Sequence, residues 1–229
     1  MTSHQPEQLV LDLSHRPALG AEDFLVSGSN RAAVAMIDRW PEWPHPVFVL
    51  CGPSGSGKSH LANVWRLRSG AACITGGDIT DDRVRVFERS KGVLIEDLDR
   101  GICDERALFH LINLAREHTF TVLVTARTPP GDWEMALPDL RSRLRSAPVA
   151  TIAAPDDALL KAVLVKLFAD RQLAVEPPVI DYLGLHMERS MATAVRLVED
   201  IDQRALQTKR RVTRALAADV LKRPETDAP

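Results

Sequence analysis

A chain of 229 residues with 45% hydrophobic side chains can fill a sizeable core, and its formal net charge of −2 supplies no overall attraction for a polyanion. No apolar run reaches the about 18 residues of a membrane span. The N-terminus, with Gln5, Glu7 and Asp12, lacks the basic-then-apolar layout of a signal peptide. These features predict a cytoplasmic protein with no membrane partner and no direct sequence-specific DNA binding. The cysteines, Cys51, Cys73 and Cys103, lack metal-ligand spacing and read as reduced core residues.

Residues 1–20 are polar, carry Pro6 and Pro17, and read as a flexible tail. Within them, the run Gln8-Leu9-Val10-Leu11-Asp12-Leu13 has a period of two. In an extended peptide Leu9, Leu11 and Leu13 would project to one side and the Gln8 amide could make paired hydrogen bonds, so the run suits an apolar groove on a partner; it also suits an edge strand of the domain's own sheet. Residues 21–154 alternate apolar strand candidates at 47–51, 71–75, 93–97, 119–125 and 149–152 with helical patterns at 58–69, 82–89 and 105–117. Such alternation predicts an α/β domain with a parallel sheet flanked by helices. Residues 155–229 lose the strand signal and predict a small all-helical lid, with helices near 157–171, 178–186, 191–208 and 213–222, the last with Thr213 as N-cap.

The first strand runs straight into Gly52-Pro53-Ser54-Gly55-Ser56-Gly57-Lys58-Ser59 and then His60, a P-loop at a strand-to-helix junction. Its glycines let consecutive backbone N–H groups point inward, and the helix start adds a positive end to that anion nest. Lys58 would meet the β/γ-phosphates of a nucleotide, and Ser59 could ligate Mg²⁺. A carboxylate at a neighbouring strand end must complete such a site, and Glu96-Asp97-Leu98-Asp99 follows the apolar strand at 93–95. Glu96 and Asp97 are the candidate metal-shell and water-orienting acids. The strand ending Thr125-Ala126-Arg127-Thr128-Pro129-Pro130 makes Thr125 and Arg127 candidates to sense the γ-phosphate, or is a plain Pro-Pro turn. Arg141, Arg143 and Arg145, at every second position, cannot share one helix face; some must point to solvent or to a partner.

Together the P-loop, the acidic strand end, the Thr–Pro-Pro strand end, the Asp139-Leu140-Arg141-Ser142-Arg143-Leu144 stretch and the helical lid resemble AAA+ ATPases of the DnaA branch. Residues 24–32 resemble the segment with which that branch opens the domain beside the adenine, which implies nucleotide-binding roles for Phe24, Val26 and Asn30 alongside residues 52–60. The resemblance also implies an arginine finger at Arg143, acting in trans, and ADP or ATP with Mg²⁺ as cofactors. The chain ends soon after the lid, without the DNA-reading module of DnaA, and in this and in its tail it is similar to the Hda family of DnaA regulators. In that family a QL-x-L-x-L tail binds the sliding clamp of the replicative polymerase, implying clamp contacts for Gln8, Leu9, Leu11, Asp12 and Leu13. The implied partners are DnaA and the DNA polymerase III sliding clamp (β subunit).

Three positions depart from the DnaA pattern: Glu96 replaces the commoner Asp, Arg127 replaces an acid or amide, and Ala192 falls where a second-sensor arginine would sit. With Glu96 the longer acid, Asp97 reads as the water-orienting one. Arg189 and Arg196, one turn either side of Ala192, could reach the phosphates or be solvated lid charges. The expected function is an adenine-nucleotide-binding regulator that docks on the clamp and stimulates hydrolysis of DnaA-bound ATP, its intrinsic ATPase being incomplete. A self-contained, homo-oligomeric ATPase or helicase-loader-like protein and a non-hydrolysing adaptor remain the alternatives.

Overall fold

The computed structural model describes residues 25–87, 90–118 and 120–222. Five short apolar runs form one sheet: β1 (Val47–Cys51), β2 (Ala72–Thr75), β3 (Gly92–Glu96), β4 (Thr121–Ala126) and β5 (Val149–Thr151). Their order is β2-β3-β4-β1-β5, and every neighbouring pair is parallel. Because alternate residues of a strand face opposite sides, each strand feeds two cores. Phe48, Leu50, Leu94 and Leu123 pack with α1 (Arg31–Asp38) and α2 (Lys58–Ser69), around the fully buried Trp65. Val49, Val93, Ile95, Val122 and Val124 pack on the opposite face against α3 (Asp81–Phe87), α4 (Glu105–Glu117) and α5 (Pro138–Arg145). This is the parallel sheet flanked by helices that the alternation predicts. Its order has one functional consequence: β4 lies between β1 and β3, so the P-loop, the 125–127 segment and the acidic turn share one rim at the strands' C-terminal ends.

The C-terminal part is helical: α6 (Asp157–Asp170), α7 (Pro177–His186), α8 (Met191–Thr208) and α9 (Arg214–Leu221). Its helix starts are sequence-encoded. Asp156, Ser190 and Thr213 each accept a hydrogen bond from the backbone of the following turn. Leu160, Leu164, Phe168, Leu183, Val198 and Ile201 form a core made only of residues from this part.

Three findings differ from expectation. β3 stops at Glu96, because Asp97 turns into the left-handed region at φ 48°, a conformation an aspartate tolerates better than most residues. The helices α1 and α5 are absent from the sequence reading. Of the cysteines expected in the core, only Cys51 is buried; Cys73, on the edge strand β2, and Cys103, in the turn before α4, are exposed, and all three are free thiols. The expected clamp-binding residues Gln8, Leu9, Leu11, Asp12 and Leu13, together with Phe24, lie outside the described residues. Among the described residues no helix is long and apolar enough to cross a membrane.

Candidate functional site: a phosphate cradle under a helical lid

The loop between β1 and α2 curls through two left-handed glycines, Gly55 at φ 70° and Gly57 at φ 98°, the latter starting α2. Lys58 is buried, and its ammonium donates to the carbonyls of Gly52 (2.7 Å) and Pro53 (2.9 Å). Burial lowers the Lys58 pKa, while the carboxylates of Asp97 and Asp99 oppose that shift, so the cation lies within electrostatic reach of the acidic turn. Ser56 is buried with a hydroxyl that has no hydrogen-bond partner among the described residues, as a cradle for a polar ligand would leave it. Pro53, Ser54, Ser59 and His60 are exposed around the loop and the first turn of α2.

Beside the cradle a cavity of about 220 Å³ is walled by Leu25, Asn30, Gly57 and His60 from below and by Val163, Leu167, Met191 and Val195 of the lid. The Asn30 amide shapes this wall: its oxygen accepts from Ser27 N (2.9 Å) and its nitrogen donates to Leu25 O (2.8 Å). Val26, an expected binding residue, packs instead against the core of the α1 face, and its neighbour Leu25 lines the cavity. Neighbouring residues of an extended segment point to opposite sides, which places Leu25 and not Val26 on the cavity wall. The lid touches the loop directly. Met191 N donates to Gly55 O (2.7 Å), and a side-chain carbon on Gly55 would collide with Ser190 Oγ.

On the acidic side, Thr125 is fully buried, and its hydroxyl accepts from Asp97 N (3.0 Å), tying the ends of β3 and β4 together. Asp97 faces an exposed partner, Arg100, at 3.4 Å. Glu96, half-buried, lies 3.9 Å from Cys73 Sγ, and burial together with the Glu96 charge raises that thiol's pKa. Arg127 is exposed, and its backbone N–H donates to Asp99 Oδ2 (2.8 Å). Asp99, to which the sequence assigned no role, keeps its other oxygen buried and without a hydrogen-bond partner among the described residues. Beneath it, the Cys51 thiol donates to Thr128 O (3.3 Å), which also accepts from Trp133 Nε1 (2.9 Å). Burial first, and then the Asp99 charge, push the Cys51 pKa up to about 12.

These contacts lead into α5. The Glu105 carboxylate on α4 accepts from Ala136 N (2.9 Å) and Leu137 N (2.6 Å), holding the start of α5 by charge-assisted bonds. Along that helix Arg145 is engaged with Gly131 O (2.9 Å), Arg141 is exposed, and Arg143 lies half-buried with its guanidinium 5.8 Å from the Phe109 ring centroid. Among the described residues no hydrogen bond or ion pair joins Arg143 to the P-loop, Glu96 or Asp97. On the lid, Ala192 is exposed in the first turn of α8, and Arg189 pairs with Asp157 at 2.7 Å. Glu105 and Asp99 escaped the sequence reading because their partners are backbone N–H groups 28 to 32 residues away.

Residues 157–221 match the family described as "Hda, lid domain". Over 232 residues the chain is 25% identical to the chromosomal replication initiator protein DnaA of Clavibacter sepedonicus, covering 90% of this chain and 48% of that protein. The chain thus spans about half the length of the DnaA proteins it matches. Domain III of Thermotoga maritima DnaA superposes with a TM-score of 0.77 at 18% identity, over 88% of this chain and 94% of that one. AMPPCP-bound DnaA from Aquifex aeolicus gives 0.66 at 18% identity, over 84% of this chain and 66% of that one. On fold, lid and relatives together, the chain is related to Hda within the DnaA branch of AAA+ proteins.

Proposed function

We propose that the protein is a regulator of replication initiation that holds an adenine nucleotide, ADP by preference, and promotes hydrolysis of ATP bound to DnaA by presenting Arg143 in trans. The observation that carries this reading is the start of α8. There the lid meets the P-loop through the Met191 N–H and Ser190, an exposed Ala192 stands where the DnaA resemblance implies a second-sensor arginine, and Arg189 is paired with Asp157. A site closed this way retains phosphates but lacks one cation that hydrolysis draws on. The cradle, the cavity beside it and the AMPPCP-bound neighbour support an adenine nucleotide as the ligand.

Mg²⁺ fits the donors at hand. Among the described residues no group of three or more His, Cys, Asp or Glu could hold a metal. The Ser59 hydroxyl and the Glu96 and Asp97 carboxylates are hard oxygen donors that would share the ion with phosphates and water, as Mg²⁺ prefers. When bound it would neutralise phosphate charge. Asp97 N–H is fixed by Thr125, which holds the turn so that this acid can orient water.

Arg143 would contribute a delocalised, always-protonated cation to charge developing in a neighbour's site. The tail residues 8–13 would dock on the polymerase sliding clamp and bring that cation to DnaA. Hydrolysis by DnaA alone, with this protein, and with this protein plus DNA-loaded clamp tests the scheme. Stimulation only in the third mixture, abolished by Arg143→Ala with nucleotide binding retained, is the expected result. Undiminished stimulation by Arg143→Ala overturns the finger, and robust turnover by the pure protein favours a self-contained ATPase.

A further inference from the structure

The far end of α8 carries a feature that the nucleotide site does not use. Residues 203–222 hold six Lys or Arg against a single Asp, in a chain whose net charge is −2. Basic charge is therefore concentrated in the last 20 described residues of the lid. Lys209 closes α8 in the left-handed conformation at φ 52°, with its backbone and that of Arg210 bonded back to Leu206 O and Ala205 O. Glycine ordinarily fills such a position because a side chain there is strained. A lysine where glycine would be easier directs attention to its charge. Lys209, Arg210 and Arg211 are exposed, and among the described residues no hydrogen bond, ion pair or ring contact engages their side chains.

Around them the notch between α8 and α9, about 430 Å³, is lined by Arg204, Thr208, Arg210, Arg211 and Thr213. Its one acid, Asp219, pairs with Arg204 at 3.7 Å. Thr213 Oγ1 accepts from Leu216 N, leaving its own hydrogen to donate outward. We infer that this turn is a docking surface for the phosphodiester backbone of duplex DNA, bound without regard to sequence. Two guanidinium forks, an ammonium and a hydroxyl in a row match a ligand that repeats its anionic oxygens along a rigid line. Weak, salt-sensitive binding of this kind accords with the chain's overall acidity, since only local charge is needed.

The test is fluorescence anisotropy with a labelled duplex of about 30 base pairs at about 50 and about 200 mM salt, comparing the full-length protein with K209G/R210Q/R211Q. Removing three phosphate-neutralising cations should weaken binding at the lower salt at least about tenfold and remove about 40-fold from the affinity loss between the two salts. The Gly substitution relieves the left-handed position, so the variant should melt no lower than wild type and bind ADP equally. No duplex binding by wild type, equal binding by the variant, or tighter binding of polyglutamate than of duplex would each overturn the inference; the last would identify an acidic protein as the partner. None of these outcomes depends on whether Arg143 acts on DnaA.

Discussion

The two cation-bearing rims of the α/β layer are built in opposite senses. At the P-loop, Lys58 is buried and folded back on two carbonyls, Arg189 is engaged with Asp157, and the lid closes over the cradle with backbone and small side chains. At α5, by contrast, the helix start is held by Glu105 and Arg143 rests against Phe109, with no acid paired to it among the described residues. A cation tied into its own fold serves retention, whereas one propped on an aromatic face is ready for an external anion. The contrast favours a protein that keeps one nucleotide and acts on another.

The sharpest way to break this comparison is a crossed pair of variants. Arg143→Ala should lower stimulation of DnaA hydrolysis by a factor of about 10³ or more and leave ADP affinity unchanged. Lys58→Ala should weaken ADP binding about 100-fold by calorimetric titration, from the loss of charge-assisted bonds to phosphate. If either change moved both readouts equally, the two rims would be one site.

Smaller effects sharpen the picture. Gly55→Ala forces a side chain into the left-handed region and against Ser190, a cost of about 1–2 kcal/mol from backbone strain alone. ADP affinity should drop about tenfold or more and lid proteolysis should accelerate; unchanged affinity would mean that the Gly55–Ser190 approach does not hold the lid. Glu105→Ala removes both acceptors at the start of α5 and should cost about 1–3 kcal/mol in urea unfolding. Its stimulation of DnaA should fall while ADP binding stays intact, whereas a loss confined to stability would leave Arg143 positioned by Phe109 alone.

The last effect is a pH dependence. The folded state holds the Cys51 pKa at about 12, above its ordinary 9.0, so the unfolded chain loses that proton first. Stability contributed by the neutral thiol is complete below pH 9.0 and is lost as pH rises toward about 12. Wild type should therefore lose more stability over this window than Cys51→Ala, measured as the difference between their melting profiles. Parallel profiles would show that the thiol ionises freely in the folded protein.

Local signals in the chain were enough for the P-loop, the parallel strands and the capped lid helices. Period-two and 3.6-residue patterns, glycine spacing and N-cap residues act over a few neighbours, and Thr213, Ser190 and Asp156 take up their caps as such rules require. The segment at 25–30 was singled out by its resemblance to the DnaA opening segment, but whether Val26 or Leu25 faces the cavity depends on how that extended stretch lies on the core.

By itself, then, the sequence determined where a glycine-rich loop joins the first strand to a helix, which strand ends carry acids and where the sheet gives way to helices, because those features are written in contiguous residues. Tertiary structure alone decided that Asp99 and Thr125 join the ends of β3 and β4, that Glu105 sets the start of α5, and that Cys73 and Cys103 lie exposed. Each depends on groups far apart in the chain meeting across the sheet or between helices, and on which side chains burial then leaves without a partner.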